Sequence, residues 1–390
     1  MPGPQPFSLV VGGPLFRFLC RVGLCDAALG LMFRRILVFS LLAWLPLLLL
    51  STYERQLLGG TAVPFLLDVE VHVKLLLALP LLLAAELSAH QRLRFVVQQF
   101  LDRRLIPDNA LPRFNAAVAS VSRQRESTVA EALLVAFVYV VGISVFWRHY
   151  AALNTTTWYD TSTAAASTLS LAGMWYAYVS LPIFQFLLFR WYYRLCVWTV
   201  FLFKVSRIQL NLMPTHPDSA GGIGFLGNTL SAFTLLAAAH GALLAGQFGS
   251  RILHVNAQLT DFQIETGVVV AFLACLIVAP LLLFSSQLAA AKRAGRREYG
   301  TFAQHYVRKF DAKWLRGGAP EDEPLLGSPD IQSLADLSTS VKLVQAMRIV
   351  PVSKGAIVQL VAAALAPVAP LGLTMMPLAD LVQKLAKLLL

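Results

Sequence analysis

Six long apolar stretches, residues 36–53, 73–89, 129–147, 169–189, 229–248 and 266–291, are each bounded by Arg, Lys, acids or a polar loop. A helix rises about 1.5 Å per residue, so about 20 such residues cross a hydrocarbon core about 30 Å thick. Only structures that satisfy their own backbone hydrogen bonds survive there, and runs of this length do so as helices. The expected fold class is therefore all-α, a polytopic transmembrane helix bundle with six clear spans. A seventh apolar segment, residues 355–378, is broken by Pro367, Pro370 and Pro377; it either spans, which is the favoured reading, or re-enters. Composition agrees: 57% hydrophobic and 14% charged residues with a mean hydropathy of +0.65 exclude a soluble enzyme, a disulfide-rich secreted domain and a disordered chain. Cys20, Cys25, Cys196 and Cys275 show no disulfide or zinc spacing. The first run lacks the pattern of a cleavable signal and is expected to stay as an anchor.

A net charge of +11 would suggest nucleic acid in a soluble chain, but here its distribution is a topology signal. Residues 1–35 carry four Arg and one acid, 89–128 seven Arg and three acids, 190–211 four basic residues and no acid, and 292–316 eight basic residues and two acids. The alternate loops, 54–72, 148–168 and 249–265, hold one Arg each and at least as many acids. That alternation predicts a cytoplasmic N-terminus and leaves no role for nucleic acid. Asn154, Thr155 and Thr156 form a glycosylation sequon on the opposite side, relevant only in a eukaryote.

Apolar periodicity continues past the bilayer, giving expected helices over 73–105, 111–147 and 169–208, the last kinked at Pro182. These extensions build a cytoplasmic platform, unless they lie flat with Trp191, Tyr192, Tyr193 and Trp198 as an interfacial belt. Residues 1–316 thus read as a bundle with basic cytoplasmic extensions and 317–327 as an acidic linker. Residues 328–390 read as an amphipathic helix, with Ile331, Leu334, Leu337, Val341 and Val344 on one face, followed by the seventh segment.

Chemistry concentrates in the loop 213–228, MPTHPDSAGGIGFLGN. His216 and Asp218 can ligate a divalent metal or exchange a proton, and Gly221, Gly222, Gly224 and Gly227 let a ligand approach the backbone. Three of these glycines match GxGxxG, but no βαβ unit surrounds them; the usable physics is a helix start that can hold an anion. The competing account is a tight interhelical turn capped by Asp218. The segment 215–226, THPDSAGGIGFL, together with the later 327–337, GSPDIQSLADL, resembles uncharacterised bacterial inner-membrane proteins that carry a THPDxAGGxGFL loop. That resemblance implies a bacterial inner (plasma) membrane and carries over no activity and no functional residue.

Ionisable residues inside spans are functional candidates by default. Glu86 and His90 share a face of the second span, Glu131 enters the third, and His240 lies near the middle of the fifth. A Glu with two His could relay protons or bind a cation; equally, Glu86 could pair with Arg92 or Arg94 and His240 could bond a neighbouring helix. The leading expectation is a permeation protein, a channel or transporter for a small ion or solute. A membrane enzyme or ligand-binding protein using the His216, Asp218 and glycine loop comes second, although HExxH, GxSxG and Walker motifs are lacking. A scaffold with a C-terminal partner-binding module comes third. The expected partners are the bilayer, a small ion or solute and, as an open option, further copies of the chain; no cofactor is expected beyond the metal that His216 and Asp218 would allow.

Overall fold

The computed structural model describes residues 7–24, 30–142, 144, 157–159, 169–255, 257–318 and 328–375. The sequon at 154–156 and residues 319–327 of the linker 317–327 lie outside them. The described residues form ten helical elements: α1 (Pro14–Arg21), α2 (Met32–Tyr53), α3 (Val69–Asp102), α4 (Leu111–Arg125), α5 (Thr128–Gly142), α6 (Leu171–Ser206), α7 (Gly224–Val255), α8 (Leu259–Leu315), α9 (Pro329–Ala346) and α10 (Lys354–Leu365). Five of them, α2, α3, α6, α7 and α8, are long and apolar enough to cross a membrane, and α5 and α10 are shorter apolar helices. The expected third span, 129–147, is helical through Gly142, and of its remaining residues only Ser144 is among those described.

Proline shapes the two long central helices in the same way. In α3 a π-turn, Lys74–Ala78, precedes Pro80, and in α6 a π-turn, Tyr176–Ser180, precedes Pro182. Each proline lacks an N–H and crowds the carbonyl four residues back, Leu76 or Tyr178, which falls inside the widened turn. Both helices thereby absorb the proline without breaking.

Elsewhere the chain breaks where periodicity predicts continuity. The helix expected over 111–147 divides at Glu126, because Ser127 leaves helical geometry and its hydroxyl accepts from the Ala130 N–H at 3.2 Å to start α5. The hydrophobic pattern runs through this break, but the cap sets the new direction. In α8 a 3-10 turn, Ala279–Phe284, contains Pro280 and separates an apolar first part from a basic second part, Ser285–Phe310. Gln287 from that second part donates to the carbonyls of Ser206 and Ile208 and accepts from the Leu210 N–H, satisfying the backbone where α6 ends.

Among its described residues the seventh segment is divided into two helical pieces. α10 has 12 residues, about 18 Å of helix, and turns before Pro367 into a 3-10 stretch, Ala369–Met375. It lies on α7 at Gly241, where an added Cβ would stand 1.9 Å from the Ala364 carbonyl oxygen. The described part of the seventh segment is thus a half-length helix followed by a 3-10 stretch, packed on α7.

One alternative reading is corrected. Trp191 and Trp198 are buried between helices, with Trp191 donating to the Leu82 carbonyl, so they pack α6 rather than form an interfacial belt. The N-terminal segment also enters the core: Phe7, Leu9 and Val10 are buried, and Phe7 packs against Trp198 and Phe201.

Candidate functional site: an arginine and carboxylate cluster among the long helices

Glu86 on α3 is 2% exposed and receives three guanidinium groups, from Arg35 of α2 at 2.5 Å and from Arg190 and Arg194 of α6 at 3.2 and 2.7 Å. Arg190 and Arg194 are four residues apart, so both lie on one face of α6 and converge on the same carboxylate oxygen. Arg190 reaches on to Glu131 of α5 at 3.2 Å, and the second oxygen of Glu131 accepts from the Leu15 N–H in the first turn of α1 at 2.8 Å. One network thus ties α1, α2, α3, α5 and α6. The expected partners of Glu86, Arg92 and Arg94, are exposed and take no part.

The cluster is not neutral. Three buried guanidinium groups answer two carboxylates, leaving one positive charge in excess. Arg35, 1% exposed, also holds Nε and Nη2 without a hydrogen-bond partner among the described residues. Each buried unsatisfied group costs about 1–3 kcal/mol, and an isolated buried charge costs more. Next to Glu131 lies a cavity of about 10 Å³ lined by Arg125, Glu131, Arg190, Tyr193 and Arg194, room for about one water. Arg125 donates to the Ser8 carbonyl, and its Nε is also unpartnered among the described residues.

The other intramembrane candidates divide. His90 lies one turn beyond Glu86, and its Nδ1 meets the Ser8 hydroxyl at 3.0 Å, beside the cluster rather than in it. His240 is elsewhere: its ring bonds the Tyr192 hydroxyl at 2.7 Å and the Leu236 carbonyl at 2.8 Å. The structure therefore brings Glu86 and Glu131 together through Arg190 and keeps His240 apart. The residues that complete the site, Arg35, Arg125 and Ser8, sit in or beside basic stretches that read as topology signals, and only a tertiary fold could separate them from their neighbours.

The loop 213–228 is closed on itself. Asp218 accepts from the Ala220, Gly222 and Gly224 N–H groups at 2.8, 3.1 and 2.8 Å, and His216 Nδ1 lies 3.0 Å from the same carboxylate. Burial opposes ionisation of Asp218, but these three backbone donors, with His216 beside them, outweigh it and hold the carboxyl below its ordinary value. Gly221 and Gly222 take φ values of 63° and 97°, which L side chains rarely adopt, and so let the chain wrap the carboxylate. Gly227 packs near the Pro351 carbonyl and adds no donor to Asp218. Three of the loop's backbone donors, those of Ala220, Gly222 and Gly224, are thus taken by Asp218. Among the described residues no group of three or more His, Cys, Asp or Glu side chains converges as a metal site.

The apolar helices and the charge cluster between them point to a class, a polytopic membrane protein with an ionised interior. Compared with family models, with curated proteins and with solved structures, the chain has no match.

Proposed function

We propose that the protein is a membrane permeation protein, a transporter or channel, whose substrate is a small anion or anionic solute. The observation that carries this reading is the excess positive charge of Arg35, Arg190 and Arg194 around Glu86, held among helices long and apolar enough to cross a membrane. Charges in such a setting are costly and are kept where a pathway or substrate uses them. A cluster one negative charge short of balance favours an anion over a cation, and Arg supplies the planar donors that carboxylates and phosphates prefer. If Lys and Arg gather on the cytoplasmic side, as the loop charge pattern suggests, this cluster lies toward the inner ends of its helices.

The test is flux in liposomes reconstituted with the purified chain. Anion-dependent flux of chloride, acetate or phosphate is expected in wild type, with at least a tenfold loss in Arg194→Gln. Absence of flux for every anion, in vesicles where an added ionophore reports normally, would overturn the reading.

A further inference from the structure

A second space adjoins the arginine cluster. Between α1, α2, α5 and α6 runs a groove of about 570 Å³, walled by Phe18, Phe39, Val135, Ile183, Phe186 and Leu187 among others. That volume lies in the range of about 300–1,000 Å³ typical of small-molecule sites. Its wall is mostly apolar, with hydroxyls at Thr128 and Tyr139 and one charged residue, Glu131, which also lines the small cavity holding Arg125, Arg190 and Arg194. Glu131 is therefore the partition between an apolar trough and a set of guanidinium groups with positive charge to spare.

Its two bonds show what the partition does. One carboxylate oxygen faces Arg190 and the other takes the Leu15 N–H at the start of α1, so Glu131 occupies the position of an anion held between an arginine and a helix start. Arg190 keeps its separate bond to Glu86 if Glu131 leaves. An incoming monoanion takes over the Glu131 contacts to Arg190 and the Leu15 N–H and keeps the charge balance of the cluster unchanged.

We infer that the groove and cluster together form a site for a single-chain anionic amphiphile, an alkyl chain ending in a carboxylate or phosphate, whose head replaces the Glu131 carboxylate on Arg190 while its tail lies along α5 and α6. Charge complementarity selects this occupant over a neutral lipid tail, because the one charged residue lining the groove, Glu131, is paired with Arg190 of the cluster. The inference rests on the anion reading above and narrows its substrate class.

Dodecanoate is the probe, with dodecanol and acetate as controls, and binding is read by native mass spectrometry of the purified chain in nanodiscs of zwitterionic lipid. Wild type is expected to hold dodecanoate at least tenfold more tightly than dodecanol or acetate. Ile183→Trp, which fills the groove without touching a charge, should weaken it at least tenfold. Glu131→Gln should bind more tightly than wild type, because the competing charge is gone; a merely structural Glu131 would give weaker binding or none. Equal retention of dodecanol and dodecanoate, indifference to Ile183→Trp in a monodisperse variant, or no retention by wild type would each overturn the inference. Binding is measured without flux, so the two readings fail separately. Acetate or chloride flux without dodecanoate binding defeats only the amphiphile site, whereas dodecanoate binding without flux defeats only transport.

Discussion

At the scale of the residue, two carboxylates show how burial and donors decide a side chain's role. Glu86 is stabilised only as long as its arginines surround it, and removing one partner of a buried charge set costs about 3–5 kcal/mol, more than the set contributes over an apolar replacement. Asp218 is the more tractable case. Its carboxyl is held below the ordinary value despite burial, so its contribution is fully present above the normal carboxylate range and is lost as pH falls through the lowered native value. Asp218→Ala leaves three backbone N–H groups without their acceptor. It is expected to cost about 1–3 kcal/mol and to flatten the acid limb of the stability profile, which thermal unfolding in detergent micelles across pH would measure. An unchanged acid limb would remove Asp218 as the organiser of its loop. Both residues stand out in the sequence, Glu86 as a charge in an apolar run and Asp218 in a glycine loop. Their partners do not, because Arg35 and Arg190 look like any other flanking arginine until the helices are packed.

At the scale of the element, helix existence was legible and helix ends were less so. The long apolar runs become helices because nothing else satisfies their backbone, and the π-turns before Pro80 and Pro182 are local responses to a missing N–H. The break at Ser127 and the early stop of α10 depend on a cap and on packing, which apolar periodicity does not encode. Gly241 carries the second of these. Gly241→Leu would drive a side chain into the Ala364 carbonyl, and overpacking of this kind costs about 1–3 kcal/mol. The expected outcome is a lowered unfolding temperature together with displaced α10, seen as faster thiol labelling of a Leu360→Cys reporter, a position that is buried in the native packing. Unaltered labelling would mean that α10 is held by contacts other than the Gly241 approach.

At the scale of the whole molecule, the C-terminal module is fastened to the bundle rather than tethered beside it. Arg348 donates to the Asp218 and Val352 carbonyls, its N–H bonds the Ser219 carbonyl, Lys292 holds the Met347 carbonyl, and Lys313 and Trp314 hold Asp330. The loop 213–228 is the junction, since Arg103, just past the end of α3, bonds the Gly222 carbonyl from the other side. Arg348→Ala should loosen this junction and speed tryptic cleavage after Lys342 and Lys354 severalfold, read by gel or mass spectrometry. Cleavage at the wild-type rate would show that the remaining contacts suffice. The sequence by itself determined the class, the approximate helices and the alternation of basic and acidic loops, because apolar run length and charge are properties of the chain taken in order. Only the tertiary structure decided which arginines leave water to surround Glu86, that Asp218 fills its own loop, and that an apolar trough ends at Glu131. The contacts of Glu86 and Glu131 join residues as far as 116 positions apart, and their energies depend on burial and distance that no local pattern contains.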